Sequence, residues 1–148
     1  MSDPEHPFWK AVRGDVPPAP AAKLLGWKVL EATPDSGRIR VQYEAPSSLA
    51  NPLGTVQGGF VAAMLDDTLG PSLATTLEKN EFGVTIELKT NFVRPAKPGI
   101  LVGEGRVVHR GSSIAFVEGT LVDADGQLVA TTTATMRIVR VGEGGFRV

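Results

Sequence analysis

Residues 58–77, with the sequence GGFVAAMLDDTLGPSLATTL, are the segment that most constrains the fold of this chain. The segment is rich in Ala, Leu and Met and shows no two-residue alternation. Its length of about 20 residues suits a helix and not a strand. Apolar residues lie nearly all round this predicted helix, so it should be buried on most sides. Gly70-Pro71 predicts a kink, or a helix that ends early and restarts, because proline removes a hydrogen bond.

The remainder of the chain has the pattern of β-strands. Before the helix, GWKVLEA and RIRVQYE flank the turn residues 33–37, which predicts a hairpin. After the helix, four strand-like runs are separated by breaks at Pro95–Gly99, Arg110–Ser112 and Asp125–Gly126. The predicted order is β-β-α-β-β-β-β, an antiparallel meander with one inserted helix. The fold class is therefore α+β, with an antiparallel sheet wrapped around one long central helix.

The length of 148 residues fits one compact domain. Residues 7–14 predict a short helix that ends at Gly14, and Val16–Ala22 predict an extended, proline-stiffened connector. We therefore divide the chain into an N-terminal arm with this helix and connector, a main domain and a C-terminal tail, at residues 1–23, 24–141 and 142–148.

Charge and composition exclude several classes of function. Lys plus Arg number 15 and Asp plus Glu number 16, so a nucleic-acid partner has no basic surface to bind. The absence of cysteine excludes disulfides, thiolate zinc sites and a cysteine nucleophile. No stretch approaches the roughly 20 apolar residues that cross a bilayer. The polar, proline-containing start lacks the apolar core of a signal peptide, so we expect a soluble, cytoplasmic protein.

Two adjacent glycines, Gly58 and Gly59, begin the predicted helix. Each lowers helix stability by roughly 1 kcal/mol relative to alanine. One reason to keep them is that nothing then shields the first backbone N–H groups from a ligand. These groups have no partner within the helix and carry the positive end of its dipole, so they could hold an oxyanion. The alternative is that the glycines only let the helix pack tightly against a strand.

Two adjacent acids, Asp66 and Asp67, lie in the middle of the apolar helix. A carboxylate there is desolvated, and burial raises its pKa unless donors or cations compensate. Perturbed acids in such places are candidates for catalysis, whereas the alternative is a structural acid bonded to a neighbouring backbone or to a symmetry mate.

The glycines and Asp66 cannot readily serve one site within a single helix, because seven to eight residues correspond to roughly 11 Å of rise. Two antiparallel copies of the helix remove this problem, since each helix start then lies near the partner's acid. The sequence therefore predicts an obligate homodimer with two shared active sites.

The run NPLGTVQGGFVAAMLDD, followed by TIELKTNFVRPAKPG and GSSIAFVEGTLVDADGQLVATTTATM, resembles the hot-dog-fold acyl-CoA thioesterases of the PaaI-like, phenylacetate-degradation type. The resemblance covers roughly residues 24–140. The family pattern is Asn, a short loop with Gly, His-Gly-Gly, and an acid nine residues after that His. The matching positions here are Asn51, Gly54, Gln57, Gly58, Gly59 and Asp66. This spacing favours Asp66 over Asp67 as the catalytic acid.

The resemblance implies a hot-dog fold, hydrolysis of an acyl-CoA thioester without a metal or other cofactor, and a homotetramer. It implies that an amide of Gly58 or Gly59 holds the thioester oxygen. Asp66 of the opposing subunit would act as general base or as nucleophile. Asn51 would help to place the water or the carbonyl, and Thr85 lies where the family often has a hydroxyl near the acid.

Gln57 departs from the family pattern, which has a histidine at this position. Glutamine can donate a hydrogen bond to a thioester carbonyl but cannot take up a proton near neutral pH. The departure leaves open a protein that binds acyl-CoA without turnover. A hot-dog dehydratase or hydratase ranks lowest, because its chemistry normally needs a histidine base. Phe60 and Met64 indicate an apolar, medium-chain or aryl, acyl group.

Coenzyme A carries phosphates, so cationic and hydroxyl side chains at strand ends and turns are candidate contacts for it. These are Arg94, Lys97, Arg110, Ser112 and Ser113. The alternative is that they are ordinary solvated turn residues. The two histidines, His6 and His109, lie outside the motif, and the sequence offers no credible set of metal ligands.

Overall fold

A computed structural model describes residues 1–142, so most of the predicted C-terminal tail (142–148) lies outside the described residues. In chain order the elements are α1 (Pro7–Arg13), α2 (Pro20–Leu24), β1 (Lys28–Ala32), β2 (Arg38–Ala45), a 3-10 turn (Ser47–Leu49), α3 (Gly58–Ala74), β3 (Glu81–Phe92), β4 (Gly99–Arg110), β5 (Ile114–Asp123) and β6 (Leu128–Arg140). The predicted order of two strands, a long helix and four strands is confirmed. Within residues 1–142, no helix is long and apolar enough for a bilayer crossing.

The six strands form one antiparallel sheet in the order β1-β2-β4-β5-β6-β3. The predicted meander is therefore wrong in one step, because β3 pairs with β6 at the far edge. The physical reason is the position of α3 in the chain. The helix follows β2 and packs along the sheet against β2, β3, β4 and β5, and it returns the chain to the edge opposite β1.

The core is centred on α3. Met64, Leu65, Leu69 and Leu73 of this helix are fully buried against the sheet, as its nearly continuous apolar surface requires. The helix runs without interruption through Pro71 to Ala74, so the alternative of an early end and a restart is wrong. Side chains on both sides of the proline bury enough apolar surface to offset the hydrogen bond that it lacks.

Glycines in the sheet let α3 approach closely. A Cβ atom at Gly103 of β4 would overlap the hydroxyl oxygen of Thr68, which is fully buried. That hydroxyl donates to the carbonyl of Met64 at 2.8 Å and lies 2.8 Å from the hydroxyl of Tyr43, so any shift of it disturbs this buried polar cluster. Gly103 is therefore a steric requirement of the helix–sheet contact.

Gly103→Ala is expected to lower the free energy of unfolding by about 1–3 kcal/mol, as overpacking of a core does. The matched control is Gly142→Ala, because a Cβ atom there meets no neighbour within 4 Å. Urea denaturation of both variants measures the difference, and equal stabilities would show that Thr68 has room to move.

The N-terminal arm is part of the packed structure. Phe8 and Trp9 of α1 are buried in the main core, and the ring of His6 lies 2.9 Å from the carbonyl oxygen of Glu81. The predicted extended connector is wrong in its second half, since α2 begins at Pro20. Proline is favoured in the first turn of a helix, where its missing N–H has no intrahelical role. The proposed boundary after residue 23 stays a prediction.

Candidate active site

The start of α3 presents free backbone donors. Gln57 is the residue before the helix, and its side chain makes no capping hydrogen bond. Its carbonyl accepts from the N–H groups of Phe60 and Val61, at 2.9 and 3.1 Å. Among residues 1–142, no acceptor is found for the N–H groups of Gly58 and Gly59. The first turn therefore offers two donors and the positive end of the helix dipole.

The space in front of these donors is open. A Cβ atom at Gly59 would meet nothing within 4 Å, and one at Gly58 would make only ordinary contact, 3.5 Å, with the ring of Phe92. Neither glycine is required by packing against a strand of the same chain. The alternative of tight packing against a strand has no support within one chain, whereas the role of the glycines in binding a ligand stays a prediction.

Asn51 organises the loop that leads to the helix. Its Oδ1 accepts from the backbone N–H groups of Leu53 and Thr55 at 3.0 and 3.2 Å, and its Nδ2 donates to the Thr55 hydroxyl at 3.0 Å. The next residue, Val56, donates its N–H to the carbonyl of Ala96 at 2.8 Å, which anchors the loop. A direct contact of Asn51 with water or substrate stays a prediction.

Asp66 and Thr85 lie together. The Thr85 hydroxyl on β3 donates to Oδ1 of Asp66 on α3 at 2.8 Å. Both residues line a cavity of about 300 Å³ between α2, α3 and β3, together with Ala21, Leu25, Ala63, Asp67, Gly70, Pro71 and Gly83. The hydroxyl occupies one carboxylate oxygen of Asp66 and holds the acid at the wall of this cavity.

Asp67 lines the same cavity but differs in its surroundings. Its Oδ2 is buried and has no hydrogen-bond partner among the described residues. Burial, and secondarily the neighbouring charge of Asp66, raises the pKa of Asp67 to about 7. Asp67 therefore carries a proton up to about neutral pH.

The helix start and Asp66 are far apart within one chain. Eight residues separate Gly58 from Asp66, which corresponds to roughly 12 Å of rise along the helix. A thioester carbonyl held at Gly58 or Gly59 is therefore out of reach of the acid on the same helix. Sites shared between two copies of the chain stay a prediction.

The thioesterase superfamily profile matches residues 53–130, more than half of the chain and including the helix start, Asp66 and Thr85. The chain belongs to the thioesterase superfamily. It has the hot-dog fold of that family and is a thioester hydrolase, so the predicted resemblance, fold class and enzyme class are confirmed.

Three similar proteins illustrate the relationship. A phenylacetic acid degradation-related protein from Ralstonia eutropha JMP134 has a structure with a TM-score of 0.84 at 38% identity, covering 88% of this chain and 98% of that one. A Saccharolobus solfataricus protein, assigned provisionally as an esterase, is 33% identical over 80% of this chain and 82% of its own. Acyl-coenzyme A thioesterase 13 of Homo sapiens is 27% identical over 73% of this chain and 77% of its own.

The candidate CoA contacts of this thioesterase fall at two ends of the sheet. Arg94 and Lys97 flank Ala96, whose carbonyl binds the segment just before the helix start. Arg110, Ser112 and Ser113 lie at the other end, near the paired residues Glu81 and Arg140. The structure therefore does not bring the five residues together in one chain.

Arg110 has a structural partner. Its guanidinium lies 2.6 Å from a carboxylate oxygen of Glu81, whose side chain is only 4% exposed. Burial tends to raise the pKa of Glu81, but the Glu78 backbone N–H, Arg110 and Arg140 together hold that pKa below its ordinary value. Arg110 therefore forms an ion pair with a buried carboxylate. This pair accounts for the position of its side chain without a contact to CoA.

Arg110→Gln is expected to lower the free energy of unfolding by about 2 kcal/mol at neutral pH, less than full loss of a buried pair because Arg140 remains. Since the pKa of Glu81 is lowered in the folded state, this contribution is present above the ordinary pKa of 4.5 and is lost as pH falls through the folded-state value. Urea denaturation at pH 7 and pH 3 measures both results. The exposed Arg137, changed to Gln, is the control, and equal losses in the two variants would contradict the assignment.

Neither histidine lines the cavity of Asp66. His6 is buried within the arm, and burial lowers its pKa, whereas His109 is exposed with its ring centroid 6.5 Å from that of Phe116. Among residues 1–142, no group of three or more His, Cys, Asp or Glu side chains could hold a metal ion. A larger concavity of about 680 Å³ lies on the outer face of the sheet, and none of the predicted catalytic residues lines it.

Sequence reasoning missed the contribution of α2 to the site. Ala21 and Leu25 form one wall of the cavity beside Asp66, although Ala21 lies within the segment assigned to the connector and Leu25 shortly after it. The signal was weak, because a five-residue helix that begins with a proline and follows two others leaves little periodicity. Leu25, which is only 4% exposed, was the one apolar residue that could have indicated a packed helix end.

Proposed function

We propose that this protein hydrolyses a medium-chain or aryl acyl-CoA to the free acid and CoA, at sites shared by two subunits of a homodimer. The observation that carries the proposal is the pair of half-sites. An open helix start with two free N–H groups lies roughly 12 Å along α3 from an acid oriented by a hydroxyl. A two-fold arrangement with antiparallel helices joins each helix start to the partner's Asp66. A tetramer of two such dimers is a further expectation.

The helix start is proposed to hold the thioester oxygen. The N–H groups of Gly58 and Gly59 are free donors, and the exposed side-chain amide of Gln57 adjoins them. As the carbonyl is attacked, its oxygen gains negative charge, which these donors and the helix dipole stabilise more strongly than the uncharged carbonyl. This preference for the charged species is what lowers the barrier.

Asp66 is proposed to act as the base. With Oδ1 bonded to Thr85, its Oδ2 is the oxygen that accepts a proton from water. The water oxygen then bonds to the thioester carbon, the C–S bond breaks, and the thiolate of CoA leaves and takes up a proton. In the alternative, Oδ2 attacks the carbon itself, the C–S bond breaks and the thiolate of CoA leaves and takes up a proton. Water then hydrolyses the resulting anhydride, which frees the acid and restores Asp66. Neither route needs a resident cofactor, because CoA enters as part of the substrate.

The position of the substrate follows from the same arrangement. The apolar wall formed by Leu25, Ala63 and Pro71 beside Asp66 suits an acyl or aryl group. Arg94 and Lys97 of the subunit that provides the helix start are proposed to contact CoA phosphates. Ser112 and Ser113 of the other subunit are proposed to contact CoA at the same shared site. Cytoplasmic location stays a prediction.

Thiol release from a panel of acyl-CoAs tests the proposal. The panel runs from acetyl-CoA through octanoyl-CoA to palmitoyl-CoA and includes phenylacetyl-CoA and benzoyl-CoA. We expect the highest kcat/KM for medium-chain or aryl substrates. Tight binding of the same substrates without thiol release would favour the alternative, a protein that binds acyl-CoA without turnover. The presence of Gln57 in place of histidine is the reason for this alternative.

Gln57→His is expected to change kcat by less than about threefold, because the glutamine amide already supplies a donor and proton transfer is assigned to Asp66. Gln57→Ala removes the donor and is expected to lower kcat by about tenfold or more. Steady-state kinetics on the best substrate of the panel compares the two variants. A gain well above tenfold in the histidine variant would show that the natural chain is not adapted for turnover.

A further inference from the structure

Asp67 is a second carboxyl group in the cavity of Asp66, and the hydrolysis described above does not use it. Both side chains line the same space of about 300 Å³, yet they are held differently. Asp66 accepts a hydrogen bond from Thr85, whereas Oδ2 of Asp67 is buried without a partner in the described part of the chain. An unpaired buried polar atom is costly, so its retention beside the acid calls for a functional reason.

Within residues 1–142 of one chain, no cation faces Asp67 from the elements that pack around it. The cavity wall from α2 consists of Ala21 and Leu25, and that from β3 consists of Gly83 and Thr85, none of which is charged. From β2, the hydroxyl of Tyr43 is within range to interact with the charge of Asp67, and burial together with that charge raises the pKa of Tyr43.

The hydroxyl of Tyr43 is also occupied. It donates to the carbonyl of Met64 at 2.7 Å and lies 2.8 Å from the hydroxyl of Thr68. Asp66 is therefore the neighbouring acid whose charge acts on Asp67, and together with burial it raises the pKa of Asp67. The hydroxyl of Thr85 donates to Asp66 and not to Oδ2 of Asp67, so the two acids differ in their hydrogen-bond partners.

We propose that Asp67 is a positioning residue for the hydrolysis, and that the proton it holds controls how readily the base beside it takes the proton of water. The inference rests on the proposed function. While Asp67 is protonated, the base at Asp66 has an uncharged neighbour. When Asp67 releases its proton to solvent, its negative charge in the shared cavity favours transfer of a proton from water to that base.

The first test is the pH dependence of kcat. For the native protein on its best acyl-CoA, kcat is expected to rise by about three- to tenfold across pH 6–8, as Brønsted behaviour of the base predicts. Asp67→Asn, which resembles the protonated acid in shape, is expected to remain at the low-pH rate with no inflection. Asp125→Asn, an exposed acid in the β5–β6 turn, is the matched control with the native profile. An unchanged inflection in Asp67→Asn would overturn the proposal.

Carbon-13 NMR of carboxyl-labelled aspartate tests the acid pair without turnover. Asp67 is expected to titrate near pH 7 and to titrate at lower pH in Asp66→Asn, where the neighbouring charge is gone but burial remains. If Asp67 titrated in the same pH range as the exposed aspartates, this inference would be overturned even if the protein hydrolyses acyl-CoA. If Asp67 titrates as expected but no substrate releases thiol, the proposed function is overturned, and the positioning role with it.

Discussion

Asp66→Asn is expected to lower kcat for acyl-CoA hydrolysis by at least about 100-fold, the lower end of what a positioned acid–base group contributes. Asparagine has nearly the same shape as aspartate, and its carbonyl oxygen can still accept the hydroxyl of Thr85. It cannot take a proton from water or attack the thioester. Because the helix start and the cavity are unchanged, KM should change little, and the loss should fall on kcat.

Thr85→Val separates orientation from proton transfer. It removes the hydroxyl that holds Oδ1 of Asp66 but leaves the carboxylate, so we expect a smaller loss in kcat, about tenfold. Thiol release in single-turnover conditions, with circular dichroism to verify folding, gives both values. If Asp66→Asn retained a rate within a few-fold of the native one, the base would have to be another group of the cavity, and Asp67 would be the first to examine.

Two inactive variants are expected to restore activity when mixed. Asp66→Asn lacks the acid but has an intact helix start. Gly59→Val has an intact acid but a blocked helix start, because the new side chain fills the open space there. A mixed dimer then contains one complete site, formed by the helix start of the first variant and Asp66 of the second. With random pairing, about one quarter of all sites are complete by symmetry.

The control for this experiment carries both substitutions on one chain. Mixed with an equal amount of native protein, the double variant forms dimers in which neither site is complete. Active sites should therefore fall to about one quarter of all sites if the sites are shared, and remain at about one half if each chain is self-sufficient. Absence of recovery in the first mixture and one half in the second would together contradict shared sites.

Particular residues show how much of the candidate site could be predicted from the sequence. The acid at residue 66 lies beside the hydroxyl at residue 85, as the family resemblance led us to expect, and the two glycines begin α3 where the pattern places them. The ion pair of Arg110 with Glu81 was not predicted, because nothing in the sequence indicates that two residues 29 positions apart pair with each other. The assignment of Arg110 to CoA binding stays a prediction. The catalytic roles themselves stay predictions until the variants are measured.

By itself, the sequence determined the local structure and the family. Periodicity decides which segments are strands, and the apolar length of residues 58–74 decides that one helix is central. The motif from Gln57 to Asp66 carries the resemblance to the family. All three depend on residues that are close together in the chain. Tertiary structure decided what depends on distant residues. Burial of α3 from several sides places β3 next to β6, sets Leu25 beside Asp66 and couples Glu81 to Arg110. Such contacts arise from packing and desolvation of the whole chain, which no local pattern records.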